Sequence, residues 1–142
     1  MTALTDGTTA QAKPADRFVR LALRWDAIAS GLTGVAFIGT PQMQKDLFGL
    51  PAAFTLPVGL FLLAFAGLVW FAGVRRPVSP ALVRGIIALN VLWVVGCAAV
   101  IAFGLLPLTG LGIAYVALQG IVVGAFAELE WVGLRRVRRA GH

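Results

Sequence analysis

Four apolar runs occupy nearly the whole chain after its first 17 or so residues, parted by short polar or proline-rich links. They fall at about 20–39, 54–73, 82–104 and 111–131, each close to the ~20 helical residues that a hydrocarbon core of about 30 Å requires. Only the first is broken by several charged and hydroxyl residues. The second opens on Pro57, which is read in a first helical turn, where a missing N–H costs little. Arg75-Arg76-Pro77-Val78-Ser79-Pro80 and Leu105-Leu106-Pro107-Leu108-Thr109-Gly110 are too short for anything but antiparallel returns. The pattern predicts an all-α membrane protein, four transmembrane helices in an antiparallel bundle.

The remaining segments divide simply. Residues 1–17 are small, polar and patternless, and read as a disordered cytoplasmic tail. The transmembrane domain spans 18–134, and 135–142 form a basic cytoplasmic tail. The apolar run at Ala27–Gly39 leaves through Ile38-Gly39-Thr40-Pro41, which offers no small-x-small cleavage site, so it reads as a span and not as a removed leader. The link from Thr40 to Ala53 carries Met43, Leu47 and Leu50 at helical spacing. It reads either as a short interfacial helix between spans 1 and 2 or as a structured loop.

Composition supports a lipid solvent: 59% of the 142 residues are apolar and mean hydropathy is +0.89, against about 45–50% apolar in soluble domains. Four spans leave no room for a soluble catalytic domain. The net charge of +6 does not point to nucleic acid, because eleven of the twelve Lys and Arg are split among three edges on one side of the spans. Short basic loops stay cytoplasmic. The expectation is therefore a bacterial inner (plasma) membrane protein with both termini and the Arg75–Arg84 loop inside, and Lys45 outside. Its basic edges would meet anionic headgroups, at roughly 1 kcal/mol per residue. The single cysteine, Cys97, and the single histidine, His142, exclude an internal disulfide, a Cys-rich metal site and a haem ligand pair. No phosphate loop or nucleophile elbow occurs. No catalytic residue and no cofactor is expected.

What remains is a set of polar residues that hydrocarbon should exclude. Asp26, Ser30 and Thr33 share one face of span 1. Asn90 lies in span 3. Gln119 and Glu130 are eleven apart in span 4, on one face that also carries Tyr115, while Glu128 points the other way. Counted along the spans, Asp26, Glu128, Glu130 and Arg84 lie near the cytoplasmic edge, with Asn90 and Gln119 deeper. The expected arrangement is an edge ion-pair cluster joining the acids to Arg20, Arg24 and Arg84, with Asn90 and Gln119 as interhelical hydrogen-bonding residues. A proton or ion path along the same residues is the alternative. Gly31 and Gly34 in span 1 and Gly120 and Gly124 in span 4 have the spacing of helix-packing faces. Span 2, nearly without polar side chains, is expected to face lipid most.

Three stretches carry a resemblance: Pro41 through Asp46-Leu47-Phe48-Gly49-Leu50-Pro51, Ala88-Leu89-Asn90-Val91-Leu92-Trp93, and Thr109-Gly110-Leu111-Gly112 through Gln119 to Ala127-Glu128-Leu129-Glu130. Their layout resembles that of small bacterial four-span membrane proteins of the DoxX-like kind. The resemblance implies a fold and a compartment and carries over no catalytic residue. Small multidrug exporters fit less well, since they need a carboxylate in the middle of the first span. The first functional expectation is a non-enzymatic scaffold or accessory subunit that packs against a second copy or another membrane protein. The second is a small transporter or channel for an ion, a proton or a small polar or lipidic molecule.

Overall fold

A computed structural model describes residues 14–140, with side chains from Asp16 onward. The remainder of the predicted N-terminal tail, 1–13, and the last two residues lie outside the described residues. Every regular element described is helical: α1 (Pro14–Gly39), α2 (Ala52–Val74), α3 (Pro80–Phe103) and α4 (Gly110–Ala140). A connector between α1 and α2 consists of one α-turn, Pro41–Met43, running into a π-turn, Gln44–Phe48. All four long helices have the length and apolar character to cross a membrane, so the chain is a multi-pass membrane protein of the all-α four-helix class.

Helix ends follow the local chemistry. Ser79 caps α3 by accepting the Leu82 N–H at 3.3 Å, and Pro80 occupies the first turn. At the other end Gly104 adopts φ +60°, a left-handed conformation that glycine takes without strain. Two helices are longer than the spans predicted for them. Residues 14–17, read as tail, are the first turn of α1, and α4 continues through the basic stretch to Ala140. Helix α2 begins at Ala52, so Pro57 is its sixth residue and lies past the first turn.

Consecutive helices run antiparallel, but they are not all neighbours. Helix α1 packs along α2 and against α4, and α3 packs on α4, whereas α2 and α3 barely touch. The lateral order is thus α2–α1–α4–α3, with an open seam between the outer two. The α1–α2 crossing is closest at Gly34 and Gly59, where a Cβ on Gly34 would lie 3.0 Å from the Gly59 carbonyl oxygen. Gly31 faces Ala66 in the same contact, and Gly120 and Gly124 face Cys97 and Val94 of α3. Helix α2 is therefore not the one most given to lipid: 28% of its span is buried, against 11% for α3. Lipid is as apolar as leucine, so small residues that admit a close backbone, and not polarity, decide which apolar helix is inside.

Two hydrophobic clusters form the core. One, at the basic end, gathers Val19, Leu23, Val69, Val83, Ile86 and Leu134; the other holds Phe37, Leu50 and Leu62 near the connector. A polar layer lies beside the first.

Candidate functional site

The polar layer is built from three helices. Asp26 of α1, Asn90 of α3 and Glu130 of α4 are at most 3% exposed. The Asn90 amide nitrogen donates to Asp26 Oδ2 at 2.8 Å and to Glu130 Oε1 at 2.9 Å. Its two N–H bonds are thereby divided between two carboxyl groups. Ser30 donates to Asp26 Oδ1 at 3.3 Å from one turn along α1. The two carboxyl groups also lie within hydrogen-bonding reach of each other. Glu130 Oε2 is buried without a hydrogen-bond partner.

Both the depth and the partners differ from expectation. Asp26 is the thirteenth of the 26 residues of α1, at the level of Asn90 and not above it. Arg20 marks the level where α2 ends, through a 3.5 Å contact to the Gly73 carbonyl, and Asp26 lies about 9 Å beyond it along α1. Asn90 is about 15 Å into α3, so the three residues share one layer. The shared layer is fixed by the two Asn90 hydrogen bonds, which hold an acid from α1 and one from α4 at the level of an α3 amide.

The arginines are engaged elsewhere. Arg84 is exposed and donates to the Pro80 carbonyl of its own helix at 3.4 Å, outside the cluster. The Arg24 guanidinium lies over the Trp70 ring, 5.8 Å from its centroid. Glu128 is exposed on the far face of α4. Thr33 bonds back to the Ala29 carbonyl at 2.9 Å and Gln119 contacts the Tyr115 hydroxyl, so neither joins the carboxyl–amide layer directly.

Thr33 and Gln119 line a cavity instead. A space of about 220 Å³ begins at Asp26, Ser30 and Asn90 and continues past Phe61, Trp93 and Tyr115. It adjoins a second, almost wholly apolar space of about 360 Å³ that reaches Phe37, Leu50, Phe54 and Leu106 beneath the connector. Phe61, Leu89, Trp93, Tyr115 and Gln119 border both. The first space is polar where it meets the carboxyl groups, the second is apolar, and both lie where α2 and α3 fail to meet; together they are called the channel below. Trp93 Nε1 is buried here without an acceptor. Sequence reasoning did not single out Phe61 or Trp93, since an aromatic residue in an apolar span gives no signal of which side it faces.

The far end is fastened by Thr109. Its hydroxyl donates to the Leu47 carbonyl at 2.6 Å and accepts the Gly112 N–H at 2.9 Å, while its N–H meets the Phe48 carbonyl at 3.2 Å. Phe48 stacks on Tyr115 with centroids 4.2 Å apart. The connector is therefore helical, as one reading of the link held, but it is fixed to the start of α4, with Leu50 in the core and Met43 and Leu47 half-exposed.

Among the described residues no group of His, Cys, Asp or Glu could hold a metal ion. Comparison with protein-family models, curated proteins and solved structures finds no match to the chain.

Proposed function

We propose that the protein is a small non-enzymatic carrier of the bacterial inner membrane, both termini cytoplasmic, which binds a lipophilic molecule with a cationic head in the channel between α2 and α3. The observation that carries this reading is the buried Asp26–Asn90–Glu130 layer opening on an otherwise apolar, aromatic-lined space. Intramembrane acids are costly, and they mark functional paths more often than surface acids do. The hydrogen bonds to this pair come from an amide and a hydroxyl, neither of which supplies a positive charge. A ligand ammonium would supply it, and rings such as Phe61, Phe65 and Trp93 suit a desolvated cation. The open seam offers access from the bilayer, and the apolar end takes a tail.

The test is binding of a long-chain alkylammonium probe to the purified protein, read by quenching of Trp93 with Trp93→Phe as the reference. The uncharged alcohol of equal chain length is the comparison. Saturable binding of the amine, weakened at least tenfold by Asp26→Asn, is expected. Failure of both probes to bind would overturn the carrier reading. A second reading, the accessory subunit, draws on the low burial of α3: a helix from another chain would fill the seam. A stoichiometric membrane partner retained in mild detergent, with the amine excluded, would favour it.

A further inference from the structure

We infer a second site, at the basic end of the bundle, that takes the phosphate of an anionic phospholipid between Arg20 and Arg24. It is independent of the channel. Arg20 is 5% exposed, an unusual condition for a guanidinium, which is stable out of water only when its donors are paired. Its one hydrogen bond among those described is the 3.5 Å contact to the Gly73 carbonyl, and its Nε is buried with no acceptor. Arg24, one turn on, also has a buried Nε without an acceptor.

The groups acting electrostatically on Arg20 are Arg76, Arg24 and a single acid, Asp16. Arg20 and Arg24 lie one helical turn apart on α1, and like charges at that spacing repel. A phosphate diester answers both conditions, since its oxygens accept the orphaned N–H groups and its charge offsets the repulsion. Position favours a lipid as the source. The Arg24 side chain lies over Trp70, four residues before the end of α2, and tryptophan belongs at the headgroup level of a bilayer. Gly73 leaves room for this packing: a Cβ there would come within 3.3 Å of Arg24 Cγ.

The experiment uses the full chain, delipidated in detergent, and then offered vesicles of phosphatidylglycerol or of phosphatidylcholine, or inorganic phosphate. Native mass spectrometry counts the lipid retained, and a melting curve reads its effect. Phosphatidylglycerol should be retained at least tenfold over phosphatidylcholine and should raise the melting midpoint. Arg20→Gln should bring the two lipids close to parity. Arg24→Gln, at a less buried position, should do the same and keeps the test open if Arg20→Gln does not fold. Arg138→Gln with Arg139→Gln should leave the preference intact. Equal retention of the two lipids by the native chain, or an equal loss in the Arg138 and Arg139 variant, would overturn a defined site in favour of diffuse attraction. Millimolar inorganic phosphate that displaces phosphatidylglycerol and stabilises as well would overturn the lipid assignment in favour of free phosphate.

Discussion

Replacing Asn90 by leucine tests the polar layer most directly, because leucine has nearly the same size and no donors. Two hydrogen bonds, 2.8 and 2.9 Å long, would be lost at a residue only 3% exposed. Interhelical hydrogen bonds in membrane proteins average about 0.6 and reach about 1.7 kcal/mol each. Orphaning a buried acceptor adds about 1–3 kcal/mol. A loss of about 2–4 kcal/mol is expected, a shift of roughly thirtyfold to a thousandfold in the unfolding equilibrium. Reversible unfolding in mixed micelles would measure it. Thr33→Val serves as control, since that hydroxyl bonds only within its own helix, and should cost under about 0.5 kcal/mol. A cycle with Asp26→Ala should show coupling of about 0.5–3 kcal/mol. If Asn90→Leu melts like the control and shows no coupling, the amide does not hold the two acids together, and the account of the layer fails.

Other outcomes follow from the packing. Gly34→Leu should cost of the order of 1–3 kcal/mol by forcing α1 from α2, whereas Gly124→Ala, whose Cβ would meet Val94 at an ordinary 3.7 Å, should leave melting nearly unchanged. Thr109→Val removes the 2.6 Å bond to Leu47, and hydrogen exchange at Gln44–Phe48 should quicken while exchange in the middle of α1 does not. For orientation, cysteines placed at Lys45 and Ser79 in a Cys97→Ala background should react with an impermeant thiol reagent in intact cells at position 45 alone; labelling at 79 alone would invert the assigned topology.

The helices were legible because a run of about 20 apolar residues has few other uses. Their lateral order was not. Neighbours in sequence are usually neighbours in space, which would pair α2 with α3, yet both are apolar all round and nothing in their composition says which face is inside. Asp26, Asn90 and Glu130 could each be picked out as polar residues in apolar spans. Their union could not, because an acid was matched to the nearest cations when an amide with two donors was the partner it found. Gly34 pairs with Ser30 at helical spacing and Gly59 with Thr55, but such spacings are common in membrane helices, and only the crossing reveals which ones pack. The channel was invisible, since it comes from a contact that is not made.

The polar layer also sets a timetable for biogenesis. Asp26 belongs to the earliest made of the four helices and the one with the lowest mean hydropathy, 1.3 against 2.5 for α3. Asn90 follows 64 residues later, about 3–13 s of translation at 5–20 residues per second. During that interval the acid has only Ser30 of its own helix for company. The close Gly34–Gly59 crossing means that α2 can join α1 first, so that the pair leaves the insertion machinery as a hairpin whose acid is sheltered on one side and waiting on the other. Release from that machinery, and not entry into lipid, then becomes the step at which this chain is committed to its fold.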